Sequence, residues 1–132
     1  MAINKVGCLD HQPLGHSICN QTQFASSFLA RLKGLLGREI LNSEEALIIP
    51  RCTIVHMFGM RFSIDLVFCS GNGTVIALQK QLKPWRLSKY SPGASFAIEL
   101  PVGAIARYQI NLGDQLRFVE RCSNSTSDNP VP

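Results

Sequence analysis

A strand-like apolar run, His56-Met-Phe-Gly-Met-Arg-Phe-Ser-Ile-Asp-Leu-Val-Phe68, carries one imidazole, one guanidinium and one carboxylate. Burying such groups is costly unless they are paired, so His56, Arg61 and Asp65 form either a site or a polar lock for the fold. A planar guanidinium takes a carboxylate or phosphate in two-pronged fashion, and an aspartate behind it would orient the arginine or the histidine. That chemistry suits a small anionic molecule or a peptide carboxylate, with Arg31 or Arg38 as further cations. The competing reading pairs Asp65 with an arginine as a structural bridge and makes His56 a satisfied core or rim residue. An acid and base pair for hydrolysis is conceivable, but neither a second carboxylate nor a nucleophile motif accompanies it.

Three other groupings have chemical potential. Lys80, Lys83, Trp85, Arg86, Lys89 and Tyr90 interleave cations with aromatics, a pattern that can touch phosphates while a ring stacks on a base. Its plainer reading is a solvated loop in which Trp85 folds back on a sheet and Pro84 fixes a turn. Cys8, His11, His16 and Cys19 are residue types that zinc prefers. They also fit an ordinary lead-in segment, and no metal is assigned. Cys52 and His56 stand four apart, as a thiol and its base could, yet a lone cysteine is more often a small buried hydrophobe. Gly113-Asp114 reads as turn chemistry, with the aspartate bonding the local backbone.

Composition narrows the class. A chain of 132 residues with 45% hydrophobic and 17% charged residues fits one globular domain. The five cysteines are odd in number and irregularly spaced, which argues for free thiols in a reducing compartment. The start lacks the basic and apolar regions of a signal peptide, and no run approaches the roughly 20 apolar residues of a membrane span. The expected location is the cytoplasm. The net charge of +4 equals the four cations Lys80, Lys83, Arg86 and Lys89, because residues 66–98 contain no acid. Steering of an anionic partner would come from that segment.

The elements that must position these groups are read from periodicity. Phe24, Phe28, Leu32, Leu35 and Leu36 fall at helical spacing, with Thr22 as N-cap and Gly37 as stop, predicting a helix over residues 22–37. Strands are expected over 46–49, 53–57, 62–69, 74–82, 96–100 and 115–119. In the third of these Phe62, Ile64, Leu66 and Phe68 share one face and Asp65 the other. Gly71-Asn72-Gly73 supplies a hairpin turn, and residues 103–108 a short helical turn. Residues 1–21 read as a loose lead-in with one edge strand near 17–21, residues 22–121 as the domain, and 122–132 as a disordered tail. The resulting fold class is α+β: a mainly antiparallel, partial barrel-like sheet packed on one N-terminal amphipathic helix.

Several segments taken in order carry a resemblance. Ala30-Arg-Leu-Lys-Gly-Leu-Leu-Gly-Arg38, Ala46-Leu-Ile-Ile-Pro50, the run from His56 to Phe68, Leu82-Lys-Pro-Trp-Arg86, and Glu99-Leu-Pro-Val-Gly103 with Gly113-Asp114 are similar to the domain of unknown function family numbered 192. The match spans roughly residues 22–119. Met60-Arg61 and Asp65 follow the family pattern; Ser63 and Gln109 stand where many members have proline and glycine. The resemblance implies a small bacterial or archaeal protein, an α+β fold of mostly strands, and no established activity.

Together these readings lead to a non-catalytic binding or accessory module. Its expected site is a polar groove of Arg31, Arg38, His56, Arg61, Asp65, Trp85 and Arg86, taking an anionic small molecule or a protein partner without a cofactor. A small hydrolase or transferase using His56 and Asp65, and RNA binding through residues 80–90, are the alternatives from other classes.

Overall fold

The computed structural model describes residues 6–24 and 40–120. Its strands are β1 (Val6–Gln12), β2 (His16–Phe24), β3 (Glu45–Pro50), β4 (Ile64–Cys69), β5 (Val75–Leu82), β6 (Phe96–Pro101) and β7 (Gln115–Glu120), with a short helix α1 (Ala104–Arg107) between the last two. All join one sheet in the order β5-β4-β6-β3-β2-β1-β7. Neighbours are antiparallel except β2 and β3.

This corrects the expected α+β class. The described chain is mostly β, the sheet is open, and the one helix among the described residues is the four-residue α1. Residues 22–24, read as the start of an N-terminal helix, belong to β2, where Thr22 pairs with Gly7 on one side and Ala46 on the other. The remainder of that expected helix lies outside the described residues. Apolar spacing is a local signal; the ladder bonds that claim Thr22 come from strands distant in sequence. Nor does the sheet close into a barrel. Its two edge strands meet at one corner only, where Thr74 bridges Gln115 and the Leu116 N–H donates to Gly73 O at 2.9 Å.

The segment expected to be a loose lead-in instead supplies two interior strands. Leu9 and Ile18, paired across the β1–β2 hairpin, are both core residues. The strand expected at 53–57 is reduced to one bridge, His56 with Leu87. The described residues do reproduce the hairpin at residues 70–74, where the Gly73 N–H bonds Ser70 O, and the helical turn after Gly103.

β4 shows why the sheet has two cores. Each of its residues is buried. Ile64, Leu66 and Phe68 pack on one face with Val55, Met57, Met60 and Leu82, whereas Val67 and Cys69 pack on the other with Leu9, Ile48 and Ile105. Strand alternation therefore makes β4 the shared wall of two apolar clusters. Burying a side chain of this kind contributes about 2 kcal/mol, which is why a strand buried on both faces can anchor the sheet.

The corner contact depends on Gly73. It sits at φ 87°, and a Cβ there would lie 2.5 Å from Leu116 O. Gly73→Ala should lower stability in urea unfolding by about 2 kcal/mol, combining left-handed strain with that collision.

Candidate functional site

Two irregular segments, residues 52–62 and 83–91, lie side by side. Met57 N–H donates to Arg86 O at 2.9 Å and Trp85 N–H to Met57 O at 2.8 Å. Farther along, Ser88 N–H reaches Val55 O at 2.8 Å, and the Val55 N–H returns to Ser88 Oγ at 2.9 Å. Val55, Met57 and Met60 anchor this ribbon in the second core cluster, and their neighbours in sequence are left facing water.

Those neighbours form an aromatic ledge. The His56 ring stacks on Phe58 with centroids 4.8 Å apart, and Phe58 faces Trp85 at 6.2 Å with the ring planes inclined by 26°. Trp85 is 67% exposed and sits at φ 65°, a left-handed conformation that is rare for a bulky side chain. Ile54, Phe58, Leu87 and Tyr90 are exposed as well. Exposed Arg61, Lys83, Arg86 and Lys89 stand on the same two segments. Between Glu45 and Glu99 the sole acidic residue is Asp65, and it is buried. The ledge is therefore apolar and cationic at once.

The expected site residues are thus sorted. His56, Trp85 and Arg86 come together through the paired segments, and Arg61 ends the turn in which Met60 N–H bonds Met57 O. Arg31 and Arg38 lie outside the described residues. Asp65 faces the opposite side of β4, away from the ledge. Its Oδ1 accepts the Gln81 N–H at 3.0 Å, while Oδ2 accepts those of Gly103 at 3.1 Å and Ile105 at 3.0 Å. The partner of this buried carboxylate is thus the backbone, where the sequence suggested an arginine. It caps α1 and holds β5 where its register against β4 shifts, with Gln81 at φ 54°.

Sequence reasoning missed one buried pair. His11, fully buried on β1, donates its Nε2–H to Asp114 Oδ2 at 2.7 Å across 103 positions, and the same oxygen accepts the Asn111 N–H at 2.9 Å. His11 Nδ1 is buried with no hydrogen-bond partner. Only the residue types were visible beforehand, as a metal candidate at one end and a turn at the other. His16, the cross-strand neighbour of His11, is exposed. Among the described residues no three His, Cys, Asp or Glu gather as a metal site. Burial pushes the thiols of Cys19 and Cys69 up to about 12, which keeps them protonated and unreactive. The Cys52 thiol donates to Ile54 O at 3.2 Å.

Two outcomes follow from the carboxylates. Asp65→Ala should cost about 3 kcal/mol or more in urea unfolding, since it strands three backbone donors. Burial pushes the Asp114 carboxyl up, but the His11 and Asn111 hydrogen bonds outweigh it and hold the group below its ordinary 3.8. A depressed carboxyl contributes stability above the unfolded value and loses it as pH falls through the folded one. Asp114→Asn should therefore be less stable than the parent near neutrality, with the gap in thermal unfolding closing below the ordinary 3.8.

A UPF0127 protein of Thermococcus sibiricus is 31% identical over 115 residues, covering 84% of this chain and 74% of its own. One of Pyrococcus furiosus is 32% identical over 107 residues, covering 79% and 91%. A crystal structure of a Novosphingobium aromaticivorans protein of unknown function superposes with a TM-score of 0.71 at 20% identity, over 88% of this chain and 93% of that one. At that identity the likeness concerns the fold alone. The family model for DUF192, described as an uncharacterized ACR, matches residues 11–118, from the buried His11 to Phe118 of β7, and the chain belongs to that family.

Proposed function

We propose that this DUF192 protein is a non-catalytic binding module of the cytoplasm whose aromatic and basic ledge engages an acidic segment of a partner protein. The observation that carries this reading is Trp85. An indole left 67% exposed, on a backbone at φ 65°, is held there by paired segments rather than folded onto the sheet. Backbone strain and exposed apolar surface are both unfavourable to a free domain, and both occur where surfaces recognise partners. Aromatic and arginine side chains are the types enriched at binding hot spots.

Charge supports the choice of an acidic partner. Exposed Arg61, Lys83, Arg86 and Lys89 share the two segments that carry the rings, and no acidic side chain of residues 46–98 reaches solvent. The side chains of the ledge are exposed, which suits an extended protein segment better than an enclosed small anion. Nothing in its geometry supports hydrolysis by His56 and Asp65, since His56 lies on the segment packed over the other face of β4 and the carboxylate is occupied by backbone N–H groups. No helix among the described residues is long and apolar enough to cross a membrane.

Trp85 is the single tryptophan of the chain, so indole emission reports directly on the ledge. Titration with a poly-glutamate peptide containing interspersed leucines should shift and quench that emission at low salt. Arg86→Ala should weaken the response about tenfold, the loss of one charge-assisted contact. Inorganic phosphate and oligouridylate serve as the small-anion and RNA arms. An emission change with oligouridylate alone would transfer the ledge to nucleic acid, and silence toward all three probes would sink the reading.

A further inference from the structure

On the face of the sheet that carries Leu9, Ile48 and Leu116 of the first core cluster lies a cleft of about 420 Å³. Leu9 of β1, Ile48 of β3, and Leu116 and Phe118 of β7 contribute its apolar walls, with Phe24 of β2 and Phe96 of β6. Leu9, Ile48 and Leu116 are buried, whereas the three phenylalanines are half-buried. Phe24 and Phe118 meet edge to face at 4.8 Å, which fixes both rings. The contact between the Gly73 turn and Leu116 brings the β4–β5 turn alongside β7, so that Gly71, Asn72 and Gly73 also line the cleft.

The rest of the lining is polar and cationic. Arg51 borders the cleft together with Asn72 and Ser95. Arg51 is a non-glycine residue at φ 52°, tied by its N–H to Ser95 O at 2.7 Å. Arg117, between Leu116 and Phe118 on β7, directs its side chain to the other face of the sheet, 3.7 Å from Asp10 and 79% exposed. Asn72 Oδ1 already accepts from Ser70 Oγ at 2.6 Å and Thr74 Oγ1 at 2.9 Å, which leaves the amide NH2 as the donor for a ligand.

We propose that this cleft is a binding site for a small amphipathic carboxylate, an apolar chain or ring carrying one negative group. The apolar body lies among Phe24, Phe96 and Phe118, and the carboxylate meets Arg51 and the Asn72 amide. The volume falls in the range of small-molecule sites, which pair apolar walls with a few polar groups that fix orientation. Arg51, with no acid in the lining, selects the sign of the head group. The site shares no lining residue with the ledge, so it stands or falls independently of the acidic-partner reading.

Decanoate below its micelle-forming concentration is the probe, with decylammonium as its charge-reversed counterpart. Calorimetric titration should give one decanoate per chain and markedly weaker binding of decylammonium. Amide shifts in NMR should cluster at residues 48–51, 71–73, 95–96 and 116–118. Arg51→Gln should weaken decanoate about tenfold, whereas Trp85→Ala should leave it unchanged. Failure of decanoate to bind the parent, equal binding of both amphiphiles, or shifts confined to residues 54–61 and 83–90 would overturn the proposal. So would a concentration-dependent dimer in sedimentation velocity that blocks decanoate, because a second copy would then be the occupant.

Discussion

The carboxylate of Asp65 is the constraint on which the arrangement of this fold depends. One buried group accepts backbone N–H donors from β5, from the residue before α1 and from α1 itself. It thereby ties the edge strand β5, its neighbour β4 and the connection to β7 at a single point. A buried charge is tolerable only when hydrogen bonds replace its lost hydration, and three do so here. With β4 fixed in this way, its two faces separate the two apolar clusters, and the ledge and the cleft come to occupy different sides of the molecule.

Much of the strand half was legible because its signals are local. Alternation along residues 62–68 assigned Ile64, Leu66 and Phe68 to one face, and Gly71-Asn72-Gly73 marked the turn that follows. The helical turn after Gly103 was legible for the same reason. β2 was not, because its sequence His-Ser-Ile-Cys-Asn-Gln-Thr-Gln-Phe is polar at most positions and becomes a strand through partners on both sides. Phe24 served a helical pattern on paper and a strand in three dimensions. Long-range pairing overrides local propensity in this way wherever a segment is held in a ladder.

The site was half legible. The residue types that collect at the ledge stand out in the sequence, but exposure of Trp85 could not be inferred, since aromatic rings usually turn inward. Asp65 was recognisable as critical; its partners were not, because main-chain donors have no sequence signature. His11 and Asp114 are the extreme case. Each had a plausible local explanation, and only the pairing of β1 with β7 brings them within 2.7 Å. That pairing joins opposite ends of the family-matched segment, and such non-local closure is slow in folding because its entropy is lost before contacts repay it.

β5 is an edge of the sheet, and beyond the corner contact at Val75 no strand among the described residues pairs with the outer side of its backbone. Exposed strand edges invite addition of further chains, and proteins suppress this with lysine, proline and bulges. Here Lys80 is exposed, Gln81 turns left-handed at φ 54° where the register shifts, and Pro84 follows. Asp65 holds that irregularity from beneath through the Gln81 N–H. The same carboxylate that organises the interior therefore also spoils the edge as a template, guarding the folded protein against polymerising through its own sheet.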